Sequence, residues 1–194
     1  MRGSRMTVTN ALILINIAVF LLEEMAGGSM KSSVAMRFGA QLTSAVTVRH
    51  QWWRLFTAMF VHFGAMHILS NMISLYLLGR SAEQLLGPGR MLTLYLISGF
   101  AGNLCTVLLD LHAGKDTLSA GASGAIFGLM GLYVAMALLP RFRPMVSVRN
   151  ILIMLALNAA YGIQNRSVNM TAHTGGLATG TVLSLLFLSA IGGL

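Results

Sequence analysis

Between Asp116 and Arg141 the chain carries no charged residue, and apolar stretches of this kind recur along its length. A helix rises about 1.5 Å per residue, so about 20 apolar residues cross roughly 30 Å of hydrocarbon. Six stretches meet or approach that requirement. They run at about Val8 to Met25, within Leu55 to Gly79, at about Met91 to Leu109, within Thr117 to Leu139, at about Asn150 to Tyr161 with a reach toward Asn165, and at about Thr171 to Ile191. The fifth is the shortest. Together they predict an all-α integral membrane protein: a compact bundle of six transmembrane helices in one domain over residues 1–194, with a long membrane-associated first loop.

Composition agrees. Of 194 residues, 56% are hydrophobic and only 9% charged, far from soluble usage. The formal charge of +8 does not point to nucleic acid, because the thirteen Lys and Arg residues are scattered between apolar segments and form no basic run. Cys105 is the only cysteine and stands inside an apolar segment, which leaves a packed thiol, no disulfide framework, and no Cys/His metal pattern. No metal or cofactor is expected, and the fourteen methionines suit a flexible core and lipid face. The opening MRGSR resembles an expression leader, with Met6 as a candidate natural start.

The scattered cations orient the chain. An even number of spans puts both termini on one side, and Lys/Arg excess marks the cytoplasmic side. Arg2, Arg5, Arg80, Arg90, Arg141, Arg143 and Arg149 fall on the N-terminal side, against Lys115 and Arg166 on the short opposite loops. The N- and C-termini are therefore expected in the cytoplasm of a bacterial-type inner membrane. The first loop, roughly Ala26 to Arg54, holds Lys31, Arg37, Arg49 and Arg54 and ends on Trp52 and Trp53, an aromatic pair suited to the outer interface.

With that orientation, three polar elements reach one level. Ser123 and His173 each stand seven residues past the last outer charge, Asp116 and Arg166, or about 10 Å deep at helical rise. The second span places His62, His67 and Asn71 in its outer half, with His67 and Asn71 four apart on one face. Polar groups at membrane depth face a bundle interior or a water-filled cavity, so a site open to the outside is expected. Gly124 and Gly128 on the fourth span, and Ala172, Gly176 and Gly180 on the sixth, form rows of small residues that let two helices approach closely.

Ser123 and His173 in contact would make a Ser-His dyad, the imidazole taking the hydroxyl proton and returning it to the leaving amine. The five acids, Glu23, Glu24, Glu83, Asp110 and Asp116, include none on the sixth span. A two-residue mechanism is the better reading, with Asp116 an outside candidate for a third member. His67, Asn71 and the Ser123 backbone N–H are candidate donors to an oxyanion.

Four motifs in order resemble the rhomboid family of intramembrane serine proteases: WR at Trp53 and Arg54, HFGAMHILSN with His62, His67 and Asn71, GASG with Ser123, and AHTGGLATG with His173, Gly176 and Gly180. The resemblance implies Ser123 as nucleophile and His173 as general base and acid. It implies His67, Asn71 and the Ser123 amide as oxyanion hole, with Gly121 and Gly124 shaping the serine loop. It also implies a lateral gate and cap over Asn150 to Met170, and single-span membrane proteins as substrates. Phe127 stands where some relatives carry a tyrosine, so it can stack on the histidine without donating a hydrogen bond. The chain looks like the minimal six-span core.

Simpler readings stand beside these. A serine among glycines is more often a packing residue, and His67 and Asn71 serve as interhelical hydrogen-bonding groups in any case. His62 reads first as a ligand of loop backbone, Arg54 and Glu83 as anchors of their loops, and His50 and His112 as interface residues. Asn16, Asn103 and Asn158 read as polar glue between helices. At the level of function, a catalytically silent rhomboid-like protein that holds membrane clients is one alternative to a protease. A small channel or transporter is another, disfavoured because the polar residues gather in one half of the bundle.

Overall fold

The computed structural model describes residues 7–165 and 168–192. The leader, with Arg2, Arg5 and Met6, and Arg166 on the last outer loop lie outside the described residues. Nine helices are described: α1 (Val8–Met25), α2 (Ser32–Phe38), α3 (Thr43–Thr47), α4 (Arg54–Thr57), α5 (Ala65–Leu86), α6 (Pro88–Ala113), α7 (Ser123–Leu138), α8 (Val148–Gln164) and α9 (Met170–Gly192). Two short strands, β1 (Gln41–Leu42) and β2 (Leu118–Ser119), pair antiparallel with Gln41 opposite Ser119.

Among these helices α1, α6 and α9 are long and apolar enough to cross a membrane, and α4 with its following turn plus α5 qualifies as a pair bent by 93°. α7 is shorter because it is the interior of the bundle. Its residues are apolar on all sides, and every position from Gly124 to Leu132 is buried, as expected of a helix surrounded by others. α6 and α9 flank it, and α1 packs on α5.

Small residues set these separations. A Cβ on Gly176 would strike the Gly124 carbonyl, and one on Gly180 the Gly128 carbonyl, so α7 and α9 meet backbone to backbone along the two rows read from the sequence. α6 joins through Gly102, whose absent side chain admits the Ala172 carbonyl, while Ser98 fills the space beside Gly128.

Three boundaries differ from the sequence expectation, each for a physical reason. The second stretch is not one continuous helix from Leu55: α4 stops at Thr57 and a 3-10 turn follows over Ala58–Phe60. The chain turns at Val61–Gly64, Gly64 adopts φ +84°, and α5 begins only at Ala65. α5 then continues past Arg80 to Leu86, because Glu83 is not a loop charge: its carboxylate accepts the Val8 and Thr9 N–H groups at 2.8 and 2.9 Å and the Thr9 hydroxyl at 2.7 Å. It thereby caps the free donors of α1. The fourth stretch is helical only from Ser123, since residues 117–122 form β2 and a turn. The depth of about 10 Å obtained from helical rise therefore does not apply to Ser123.

The first loop is a folded subdomain. Arg54 is buried and donates to the Met36 and Ala40 carbonyls and to Gln51, its guanidinium lying over Trp53. Asp110 accepts from the Thr43 and Thr117 hydroxyls, and Asp116 from the Ser44 N–H and hydroxyl. Loop and serine segment are thus tied together, while Trp52 and Trp53 remain half exposed. Asn103 bridges elements by donating to the Leu55 carbonyl, but the amides of Asn16 and Asn158 donate to carbonyls of their own helices. His50 and His112 are exposed.

Candidate active site

The approach to Ser123 is built by Gly121. Its φ of +127° is open only to glycine among ordinary residues, and its N–H donates to the Ala58 carbonyl at 2.9 Å. A Cβ there would lie 2.8 Å from both Cε1 and Nε2 of His67 and 3.8 Å from Asn71 Nδ2. The bare glycine therefore gives those two side chains their place beside the serine loop. Ala122 follows as the residue before α7, and Ser123 is the first residue of the helix. That position leaves its backbone N–H among the free donors of the helix start.

His173 lies in the first turn of α9. Its Nε2 is 2.8 Å from Ser123 Oγ, and its ring stacks on Phe127 with centroids 4.2 Å apart and planes 15° from parallel. Phe127 thus holds the imidazole in plane, as a phenyl group can without a hydroxyl. His173 Nδ1 is buried and has no hydrogen-bond partner among the described residues. The acids are engaged elsewhere: Asp110 and Asp116 anchor the first loop, Glu83 caps α1, and Glu23 and Glu24 bond His62 and Ser29. Asp116, the outside candidate for a third member, therefore belongs to the loop anchor.

The oxyanion candidates are oriented by their own bonds. His67 Nδ1 accepts the Phe63 N–H at 3.3 Å, so the neutral ring carries its proton on Nε2, the atom facing Gly121. Asn71 Nδ2 donates to the His67 carbonyl at 3.0 Å and retains a second N–H. His62 is fully buried, accepts the Ala122 N–H on Nε2 at 3.4 Å, and uses Nδ1 toward the Phe60 carbonyl at 3.3 Å. It holds the serine loop, as its reading as a ligand of loop backbone anticipates.

One contributor escapes the sequence reading. Asn169 Oδ1 accepts the Ala172 N–H at 3.0 Å, capping α9, while its Nδ2 donates to Ser119 Oγ at 2.8 Å and Thr106 Oγ1 at 3.0 Å. A single side chain thereby joins the helix start that carries His173 to the strand that leads to Ser123. Its sequence signal is an asparagine just before an apolar helix, an N-cap signature.

Cavity volume does not locate this chemistry. The 410 Å³ cavity lined by Ser81, Gln84, Leu132, Tyr133 and Met136, among others, sits toward the opposite ends of α5 and α7. Its Ser81 hydroxyl bonds the Leu77 carbonyl, with no histidine in the lining.

Comparison with known proteins identifies the family of the segment that holds these residues. The rhomboid domain family model matches residues 49–190, which span every polar group of the site. Rhomboid protease GluP of Bacillus subtilis (strain 168) is 33% identical over 181 residues, covering 92% of this chain and 34% of GluP. RHOMBOID-like protein 1 of Arabidopsis thaliana is 38% identical over 156 residues, covering 78% of this chain and 39% of that protein. YdcA of the same Bacillus is 38% identical over 140 residues, covering 70% of this chain and 67% of YdcA. The chain thus spans between about a third and two thirds of the length of these relatives. A domain match over most of the chain, relatives above the 30% level, and a serine–histidine contact between two glycine-lined helices make this chain a member of the rhomboid family.

Proposed function

We propose that the protein is an intramembrane serine endopeptidase that hydrolyses peptide bonds in or near transmembrane helices of single-span membrane proteins, using Ser123 and His173 as a dyad. The observation that carries the reading is the 2.8 Å contact between Ser123 Oγ and His173 Nε2, on a chain whose relative GluP is named a rhomboid protease.

The chemistry follows from the atoms. Ser123 O–H donates to Nε2, and as Oγ attacks the scissile carbonyl the proton passes to the imidazole. The carbonyl oxygen becomes an oxyanion within reach of His67 Nε2–H, Asn71 Nδ2–H and the Ser123 N–H, each donor being worth about 2.7–4 kcal/mol in such sites. Imidazolium then protonates the leaving amine, and water repeats the sequence on the acyl-serine with His173 as base. With no partner for His173 Nδ1 among the described residues, the Phe127 stack takes over the orienting task that a carboxylate performs in a triad.

In this reading the chain crosses an inner membrane six times with both termini cytoplasmic, and the site opens outward. α8, of which only Ile151 and Gly162 are buried, is the least embedded helix and suits the gate that the family resemblance implies. A silent client-binding protein would have no use for a formed serine–histidine contact and an oriented oxyanion pocket.

The test is cleavage of a transmembrane substrate by purified protein in liposomes, together with labelling by a fluorophosphonate. Cleavage lost in Ser123→Ala, and labelling lost in His173→Ala, is the expected result. A Ser123→Ala protein that cuts as well as the parent refutes the proposal.

A further inference from the structure

The last turn of α1 carries two consecutive carboxylates, and both reach the turn that leads into α5. Glu23 is fully buried. Its Oε2 accepts the His62 N–H at 3.2 Å, while its Oε1 has no partner among the described residues. Glu24 Oε1 accepts the Ser29 N–H at 3.1 Å and the Ser29 hydroxyl, whose oxygen in turn accepts the Gly64 N–H at 3.1 Å. The end of α1 therefore grips residues 62 and 64 on either side of Phe63.

That turn feeds both halves of the proposed oxyanion hole. Phe63 donates its N–H to His67 Nδ1, which sets the donor tautomer of the ring. His62 presents Nε2 to the Ala122 N–H, which holds the Gly121–Ala122 peptide, one peptide before the group that carries the Ser123 N–H. A buried carboxyl with one vacant oxygen is an expensive group with which to satisfy a single N–H, since an unpartnered buried polar group costs about 1–3 kcal/mol. Glutamine, of the same length, would accept the same bond without a buried charge.

We propose that Glu23 is a positioning residue for the hydrolytic site, acting through His62 to hold the Ser123 amide and the His67 ring in register. The inference rests on the protease reading above. Glu23 touches no reacting atom; it fixes where the two donors point. A misplacement of about 1 Å at a reacting centre is enough for roughly a hundredfold loss of rate.

The experiment measures kcat, KM and the second-order rate of fluorophosphonate labelling in liposomes, with thermal unfolding in parallel, for the parent, Ser123→Ala, Glu23→Met, Glu23→Gln, His62→Ala and Glu23→Met/His62→Ala. Glu23→Met keeps volume and removes the acceptor. It is expected to lower kcat and the labelling rate together by about 10- to 100-fold with KM within about threefold. Glu23→Gln, which still offers an oxygen to the His62 N–H, stays within about threefold of the parent. Adding Glu23→Met to His62→Ala costs less than the product of the two single losses, because the share of the Glu23 effect that passes through the His62 ring is already gone while the share that passes through Phe63 to His67 remains.

Parent rates in Glu23→Met, an equal loss in Glu23→Gln, or additive losses in the double variant each overturn the proposal. If Glu23→Met does not fold, Glu23→Asp, which withdraws the acceptor by about 1.5 Å, takes its place, and parent rates there overturn it equally. A parent that cuts nothing yet labels at Ser123 refutes the protease reading alone, and the labelling rates still decide the role of Glu23. A parent that neither cuts nor labels overturns both.

Discussion

Replacing Gly121 by alanine tests the site more sharply than removing any catalytic group, because it adds one carbon and deletes nothing. That carbon would lie 2.8 Å from Cε1 and Nε2 of His67, about 0.6 Å inside ordinary van der Waals contact. The φ of +127° adds strain for any residue with a Cβ, of order 1–3 kcal/mol. If the backbone holds, His67 retreats by about 0.6 Å, and a donor set at about 2.9 Å from an oxyanion moves to about 3.5 Å, beyond useful hydrogen bonding. Loss of one such donor is worth about 2.7–4 kcal/mol, or 10²–10³ in kcat. Turnover of a transmembrane substrate in detergent, with thermal unfolding on the same sample, is the assay. A Gly121→Ala protein with kcat within about threefold of the parent would refute both the placing of His67 at the oxyanion and the reason for a glycine here. A lower unfolding temperature with kcat per folded molecule unchanged would refute it equally.

Three further outcomes follow from other contacts. Gly180→Ala places a Cβ into the Gly128 carbonyl and is expected to lower stability by about 1–3 kcal/mol, read as an earlier thermal transition; an unchanged transition would mean that α7 and α9 are free to separate. Glu83→Ala uncaps α1 by removing the acceptor of the Val8 and Thr9 N–H groups. It should cost about 1–3 kcal/mol of stability while leaving kcat per folded molecule at the parent value, which thermal unfolding and turnover measured together will separate. Asn169→Asp keeps the oxygen that accepts the Ala172 N–H but loses the donors to Ser119 and Thr106, so turnover should fall by more than it does in Thr106→Val, a comparison made by kcat at matched folded fraction.

Hydropathy read in one dimension found the apolar helices yet misplaced their ends, and each error has a cause. A charge need not end a span: Glu83 lies inside α5 because its carboxylate has the amides of another helix to accept. Asp110 lies inside α6 for the same kind of reason, held by Thr43 and Thr117. Nor is an uncharged run helical throughout: residues 117–122 leave helical geometry to pair β2 with β1 and to turn at Gly121. Ser123 consequently meets His173 at the start of two helices, not one third of the way down them.

What the sequence by itself determined is which groups are candidates for the site. Ser123, His173, His67 and Asn71 are scarce polar groups in apolar segments, where their burial is costly unless they serve one another, and the glycine rows announce which helices can approach. What only the tertiary structure decided is how those groups are held: Asn169 joining α9 to β2, His62 on the Ala122 amide, Phe127 beneath the imidazole, and Glu23 on the His62 N–H. The reason is the range of the interactions. Hydrophobic periodicity acts between near neighbours and is written locally, whereas these hydrogen bonds join residues tens of positions apart and acquire partners only once the bundle has closed.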